Sequence, residues 1–255
     1  MSSGENMTVL GVGAHPSDIF SAIGGTAAKH VRRGDRVVFL TLTYGVEVHT
    51  ERHVGKSEQE IKDIWWKQGT DAAKILGVDD YRFLDFGDTP LVSTREKLIE
   101  LGEVIQDVRP DIIISAGYPF REIGGAGDES AQARMLEAAP SWRQHAGKEP
   151  HHAKAIWFSS HDFTSPLNYP VYNLPNTYVD ITDTIEQKIA ALKTAWATAM
   201  APERGGSVSP PDEIERIDRL FRLLNGYAGF AAGVEYAEGY ERPWLKVDTV
   251  DYLTT

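Results

Sequence analysis

The chain has 255 residues, 42% of them hydrophobic, and no linker-like tract divides it, so one domain spanning residues 1–255 with one sizeable core is expected. A formal net charge of -11 opposes binding to nucleic acid or to an anionic membrane face, both of which repel it at long range, and directs attention to small molecules. There is no cysteine, which excludes disulfide scaffolds, thiolate nucleophiles and cysteine zinc sites and leaves His, Asp and Glu to hold any metal.

The opening MSSGENMTVL lacks the basic start and long apolar core of a signal peptide, and no apolar run approaches the roughly 20 residues that span a bilayer, so a cytoplasmic protein without a membrane partner is expected. MTVLGVGA (residues 7–14) and RVVFLTLT (36–43) read as strands, separated by helical spacing from Ile19 to Arg33 that stops at Gly34. An amphipathic segment over 58–76 ends at Gly77, YRFLDF gives a third strand, and TREKLIELGEVIQDV a helix that stops before Pro110. DIIISA (111–116) is a fourth strand, and a helix is read from near Ser130. AIWFSS (155–160) and TYVDIT (177–182) read as later strands, followed by a helix from about Thr184 to Met200. Residues 202–213 are Pro/Gly/Ser-rich and read as a loop before a last amphipathic helix, IERIDRLFRLLNGYAGFAAG. Strands alternating with helices imply right-handed parallel crossovers, hence an α/β Rossmann-like three-layer α/β/α sandwich with a mostly parallel sheet. Such sheets bind ligands beyond the carboxyl ends of their strands, where the loops after residues 14, 43, 86 and 116 converge.

The segment AHPSDIFSAIGGT sits at the first of these strand ends. His15 and Asp18, three residues apart on a turn that begins a helix, can address one point in space with donors that suit zinc and related divalent ions. The same pair also serves as a hydrogen-bonded helix cap. Gly24 and Gly25 lie inside the helix, where each costs about 1 kcal/mol relative to alanine, so a close approach of neighbouring chain or simple helix packing is expected there.

From AHPSDIFSAIGGTAAKHVRRGDRVVFLTLTYG the chain resembles the opening of the PIG-L/LmbE-like superfamily, whose signature is A-H-P-D-D, then G-G-T, a helix, Gly and a second strand ending in T-x-G. The similarity runs on through AAKILGV, RFLDFGD and the strand after RPD, roughly the first half of the chain. The resemblance implies a mononuclear zinc site, Zn2+ or another divalent metal, with His15 and Asp18 as ligands, and most members remove an acetyl group from an N-acetylated amino sugar. Two positions depart from the pattern. The first carboxylate of A-H-P-D-D, general base in the deacetylases, is Ser17 here, and a serine does not do that work at neutral pH. The second motif, H-P-D-H, aligns with GAGDES, which places Ala126 at its oxyanion-stabilising histidine and Glu129 at its metal-binding one. Glu129 is thus the expected third ligand, with Asp128 and Glu122 as alternatives. Asp128 and Glu129 equally suit the first turn of the helix that follows.

The chain is also similar to the 4-oxalomesaconate hydratase branch of this superfamily, in A-H-S-A-D-like motif, in LTYGVEVHTE, in FGD, in the histidine of WFSSHDF and in YAEG. That resemblance implies Glu47 and His161 as proton-transfer residues of a metal-dependent hydratase, a hydro-lyase adding water to an unsaturated keto or carboxylic acid in aromatic-compound catabolism. The alternatives are a zinc-dependent N-deacetylase or other hydrolase of a small acylated or carbonyl substrate, and a noncatalytic binding module. A small anionic or aromatic-derived substrate would meet Ser17, Tyr44, Arg121 and Arg204, the arginines through bidentate pairing with a carboxylate. His151 and His152 read as a surface turn, and the small residues of YAGFAAG as packing for a homo-oligomer or within the chain.

Overall fold

The computed structural model describes residues 6–47, 54–119, 127–142, 149–159, 175–196 and 210–242. In chain order these form β1 (Thr8–Gly13), α1 (Asp18–Arg33), β2 (Arg36–Thr41), α2 (Glu58–Ile75), β3 (Asp80–Phe83), α3 (Arg95–Val108), β4 (Ile112–Ser115), α4 (Gly127–Trp142), β5 (Ala155–Ser159), β6 (Thr177–Asp180), α5 (Ile185–Ala195), α6 (Pro210–Ala232) and β7 (Ala237–Glu241). The sheet order is β3-β2-β1-β4-β5-β7-β6, parallel from β3 to β5 and antiparallel where β7 pairs with β5 and with β6. Among the described residues no helix is long and apolar enough to cross a membrane.

Strand alternation divides the core into two layers. Val9, Val37, Phe39, Ile112 and Ile114 pack towards α1, α2, α5 and α6, while Leu10, Val12, Val38, Leu40 and Ile113 pack towards α3 and α4. Helix ends follow their local chemistry. Ser57 and Glu60 form a reciprocal capping box at the start of α2, and Gly34 ends α1 in the left-handed region with φ 91°.

The mostly parallel three-layer sheet expected from the sequence is therefore present, with three differences. The strand β7 lies in YAEGYE, which gave no strand signal because Ala, Glu and Gly are poor strand formers. Its Glu238 is fully buried. The helix α4 begins at Gly127 rather than near Ser130, and α6 begins at Pro210, inside the stretch expected to be a loop, since proline is tolerated in the first turn of a helix.

The glycine pair of α1 answers to close approach. A Cβ on Gly24 would lie 3.2 Å from Lys188 Cγ, and one on Gly25 would lie 2.8 Å from three carbons of Ile181. Through that opening Glu238 accepts the Gly25 and Thr26 backbone N–H groups at 2.9 and 2.8 Å and the Lys188 ammonium at 2.6 Å. In the small-residue stretch of α6, Ala228 is buried and a Cβ on Gly229 would run into the backbone of Glu235, so this chain itself uses those two positions. Leu223, Tyr227 and Phe230 of the same helix are exposed. His151 bonds the Pro110 carbonyl at the start of β4, at the opposite end of the sheet from the crevice described next.

Candidate metal centre

Strand order reverses between β1 and β4, with β2 on one side of β1 and β4 on the other, and this opens a crevice at their carboxyl ends. There the chain turns from β1 into α1 within Ala14–Ser17. Gly13 makes room for the turn, since a Cβ would lie 3.1 Å from Asp18 Cβ and 3.2 Å from the His15 carbonyl oxygen. Neighbouring strand ends clamp it. Thr43 donates its backbone N–H and its hydroxyl to the Ala14 carbonyl at 3.0 and 2.9 Å, and the Tyr81 hydroxyl donates to the Pro16 carbonyl at 2.8 Å. Asp18 closes the turn on itself by accepting the His15 backbone N–H at 2.7 Å, while Ile19 and Phe20 anchor the following residues in the core.

Two helix N-termini face the crevice, α1 bearing Asp18 and α4 bearing Asp128 and Glu129 in its first turn, and their dipoles favour carboxylates there. His15 Nδ1 lies 3.4 Å from Asp18 Oδ2 and 3.5 Å from Glu129 Oε1. One donor atom from each of these three residues falls within 4.8 Å of the others. A four-coordinate ion with bonds of about 2.0–2.1 Å spaces its donors about 3.3 Å apart, so His15, Asp18 and Glu129 could hold one cation with little adjustment. Glu129 Oε2 is buried and has no hydrogen-bond partner among the described residues, so it is free of a competing donor there.

Behind the imidazole, His15 Nε2 lies 3.2 Å from Asp128 Oδ2. Asp128 also accepts the Thr89 and Leu91 N–H groups at 2.8 and 2.7 Å, so both its oxygens are engaged. Burial pushes this carboxyl up, but the His15 contact and the two backbone donors outweigh it and hold its pKa at about 2. Of the alternatives for the third position, Asp128 therefore meets the ring at Nε2, while Nδ1 faces Asp18 and Glu129. Glu122 lies outside the described residues. Burial alone would push the His15 imidazole down, yet the Asp18 charge and contacts with Asp128, Asp18 and Glu129 hold it well above its ordinary value. One imidazole among three carboxylates favours positive charge at this point, whether proton or metal.

The other expected site residues separate into three groups. Ser17 is buried beside the cluster and makes no capping bond to α1, so its hydroxyl is not committed to the helix. Glu47 is exposed on the loop that passes His15, two residues beyond Gly45, where a Cβ would lie 4.0 Å from His15 Cβ, and its backbone N–H is tied to Asp88 Oδ2 at 3.0 Å. Tyr44 is not in the cluster. Its ring stacks on Phe83 with centroids 5.2 Å apart, and it lines a cavity of about 480 Å³ with Lys62, Trp66 and Asp85. His161, Arg121 and Arg204 lie outside the described residues. Sequence reasoning missed the contact of Asp128 with the His15 ring and the clamps from Thr43 and Tyr81; the threonine at a strand end next to the motif was the available signal for the first clamp.

A doubly wound α/β sheet with a His, Asp and Glu cluster at its switch point offers donors for a divalent metal where such sheets bind their ligands. The family model described as PIG-L, GlcNAc-PI de-N-acetylase, matches residues 10–124. A diacetylchitobiose deacetylase of Thermococcus kodakarensis is 32% identical over 239 residues, 91% of this chain and 81% of that one. The chain belongs to the PIG-L family. A 4-oxalmesaconate hydratase of Pseudomonas putida is 26% identical over 192 residues, 73% of this chain and 72% of its own. Among solved structures, the N,N'-diacetylchitobiose deacetylase from Pyrococcus horikoshii superposes with a TM-score of 0.77 at 23% identity, covering 94% of this chain and 84% of the other. The 4-carboxy-2-hydroxymuconate hydratase of Pseudomonas putida gives 0.73 at 21% identity, covering 96% and 99%. These two likenesses show the shared fold.

Proposed function

We propose that this protein is a metal-dependent hydrolase that removes an acetyl group from an N-acetylated small substrate, an amino sugar by its likeness to the deacetylase of Thermococcus. The observation that carries the reading is 32% identity across 91% of the chain, with a His, Asp and Glu cluster where the family motif begins. This reverses the order expected from the sequence, where the hydratase stood first. A divalent cation, zinc among the candidates, supplies Lewis-acid polarisation of the scissile carbonyl when bound. His15, Asp18 and Glu129 would hold it, and Asp128 would keep the imidazole ring in place. Ser17 offers a buried hydroxyl to the substrate, but it does not take a proton from water at neutral pH. Glu47, exposed on the loop that passes His15, is a carboxylate that could take that proton.

The second reading is a hydro-lyase adding water to a small unsaturated acid. It is favoured by Ser17, which stands where the resembled deacetylases carry their base, and by the 26% identity to the hydratase of Pseudomonas. One pair of assays on metal-loaded protein separates them: acetate release from N,N'-diacetylchitobiose, and loss of the conjugated chromophore of an unsaturated keto acid. Acetate release supports the hydrolase. Chromophore loss without acetate release overturns it in favour of the hydro-lyase.

A further inference from the structure

Three donors meet at the end of β1, one imidazole nitrogen and two carboxylates, and Glu129 differs from the others in how its atoms are used. Asp18 spends Oδ2 partly on the His15 backbone N–H, whereas the buried Oε2 of Glu129 has no donor among the described residues. Glu129 Oε1 already faces His15 Nδ1 at 3.5 Å, on the side where Asp18 stands. A glutamate whose second oxygen is buried and unpartnered can give both oxygens to one cation. Doing so raises the protein donors from three to four, one nitrogen and three oxygens, before any water or substrate is added. Zinc favours four-coordinate sites rich in nitrogen or sulfur, while manganese suits carboxylate oxygen and higher coordination.

We infer that Glu129 sets the metal preference of this centre, narrowing the advantage of zinc over manganese relative to the same site with an imidazole at position 129. The inference rests on the metal-dependent reading of the site and adds which ion the site tolerates. Charge acts in the same direction. With His15 neutral, Asp18 and Glu129 balance a divalent ion, and Asp128 adds a further negative charge behind the ring at 3.2 Å. Manganese, lower in the Irving–Williams order, gains relatively more from carboxylate charge than from imidazole.

The test is metal binding, read without turnover. Metal-free wild type, Glu129→His and Glu129→Gln are titrated with Mn2+, followed by loss of the free-ion electron paramagnetic resonance signal, and with Zn2+ in competition with a chromophoric chelator. Thermal melts of the metal-free forms check folding. Glu129→His should raise the ratio of zinc to manganese affinity tenfold or more, and Glu129→Gln should weaken manganese at least tenfold. A ratio within threefold of wild type in a folded Glu129→His overturns the inference. Should Glu129→His fail to fold, Glu129→Gln decides, and unchanged manganese affinity in that variant overturns it. Failure of the wild type to bind either ion overturns the metal reading as well, whereas tight binding with unaltered preference overturns this inference alone.

Discussion

Lys188→Met tests how the C-terminal half of the chain holds α1. The Lys188 and Glu238 side chains are both fully buried, with Nζ and Oε1 2.6 Å apart. Burial pushes the ammonium down, against the Glu238 charge that favours it. Methionine keeps the apolar stem and removes the charge, leaving Glu238 with the Gly25 and Thr26 N–H groups and the Tyr240 hydroxyl at 2.9, 2.8 and 2.9 Å. Breaking a buried pair from one side costs about 3–5 kcal/mol, and three surviving donors place this variant near the lower limit, about 3 kcal/mol. Glu238→Gln strands the ammonium and turns an amide towards a backbone N–H, so the upper limit, about 5 kcal/mol, is expected. The double variant carries no buried charge and should cost at least about 2 kcal/mol less than the sum of the singles. Urea denaturation of metal-free protein at pH 7, followed by circular dichroism, measures all three. Lys188→Met within about 0.5 kcal/mol of wild type, or additive singles, would refute the reasoning.

Gly25→Ala brings a Cβ to 2.8 Å from Ile181 and should cost about 1–3 kcal/mol by overpacking, visible as a lower urea midpoint at constant slope. Asp128→Asn leaves the cluster of His15, Asp18 and Glu129 in place but weakens the hold on the ring; metal affinity by chelator competition should fall about 10–100-fold, while an unchanged value removes Asp128 from the positioning role. Asp35 predicts acid sensitivity. Burial pushes its carboxyl up, but His30, the Met7 N–H and Arg33 hold it at about 2, below 3.8. A depressed carboxylate stabilises the fold above its unfolded pKa and loses that contribution as pH falls through its folded value, so about 2 kcal/mol should disappear between about pH 4 and pH 2. Asp35→Asn should lose most of it already at pH 7 and show a flatter profile in the same denaturation series.

The first half of the fold was legible because its signals are local. Apolar runs of six to eight residues followed within two positions by Gly or Pro mark the strands of the parallel part, and Gly34 and Gly77 mark helix ends. The position of His15 and Asp18 followed, since a strand end before a glycine-bearing helix has one place to be in a doubly wound sheet. Glu129 was reached through motif alignment, not periodicity. What stayed hidden depends on distant partners. Glu238 looks like a surface residue until Lys188, 50 positions earlier, and the open face of Gly25, 213 positions earlier, are brought to it. Asp128 looks like a helix-start carboxylate until Thr89, Leu91 and His15 close around it.

Ser17 and Glu129 depart from the motif in opposite electrical senses: one position loses a carboxylate and the other gains one. Relative to A-H-P-D-D and H-P-D-H, the number of carboxylates in these motif positions is unchanged at three, now Asp18, Asp128 and Glu129. One negative charge has moved from the place where a base would stand to a place among the donors. Either reversal alone changes the net charge of the pocket by one, while both together preserve it. Ser17→Asp alone adds a fourth carboxylate beside Asp18, and crowding of like charges should favour its protonated form, which takes no proton from water. Glu129→His alone leaves the cation with one balancing carboxylate and still none at position 17. The double variant Ser17→Asp/Glu129→His should therefore release acetate from N,N'-diacetylchitobiose faster than the product of the two single effects, by at least about tenfold. Multiplicative behaviour, with every variant folded and metal-loaded, would show that the two positions act independently and that charge balance does not link them.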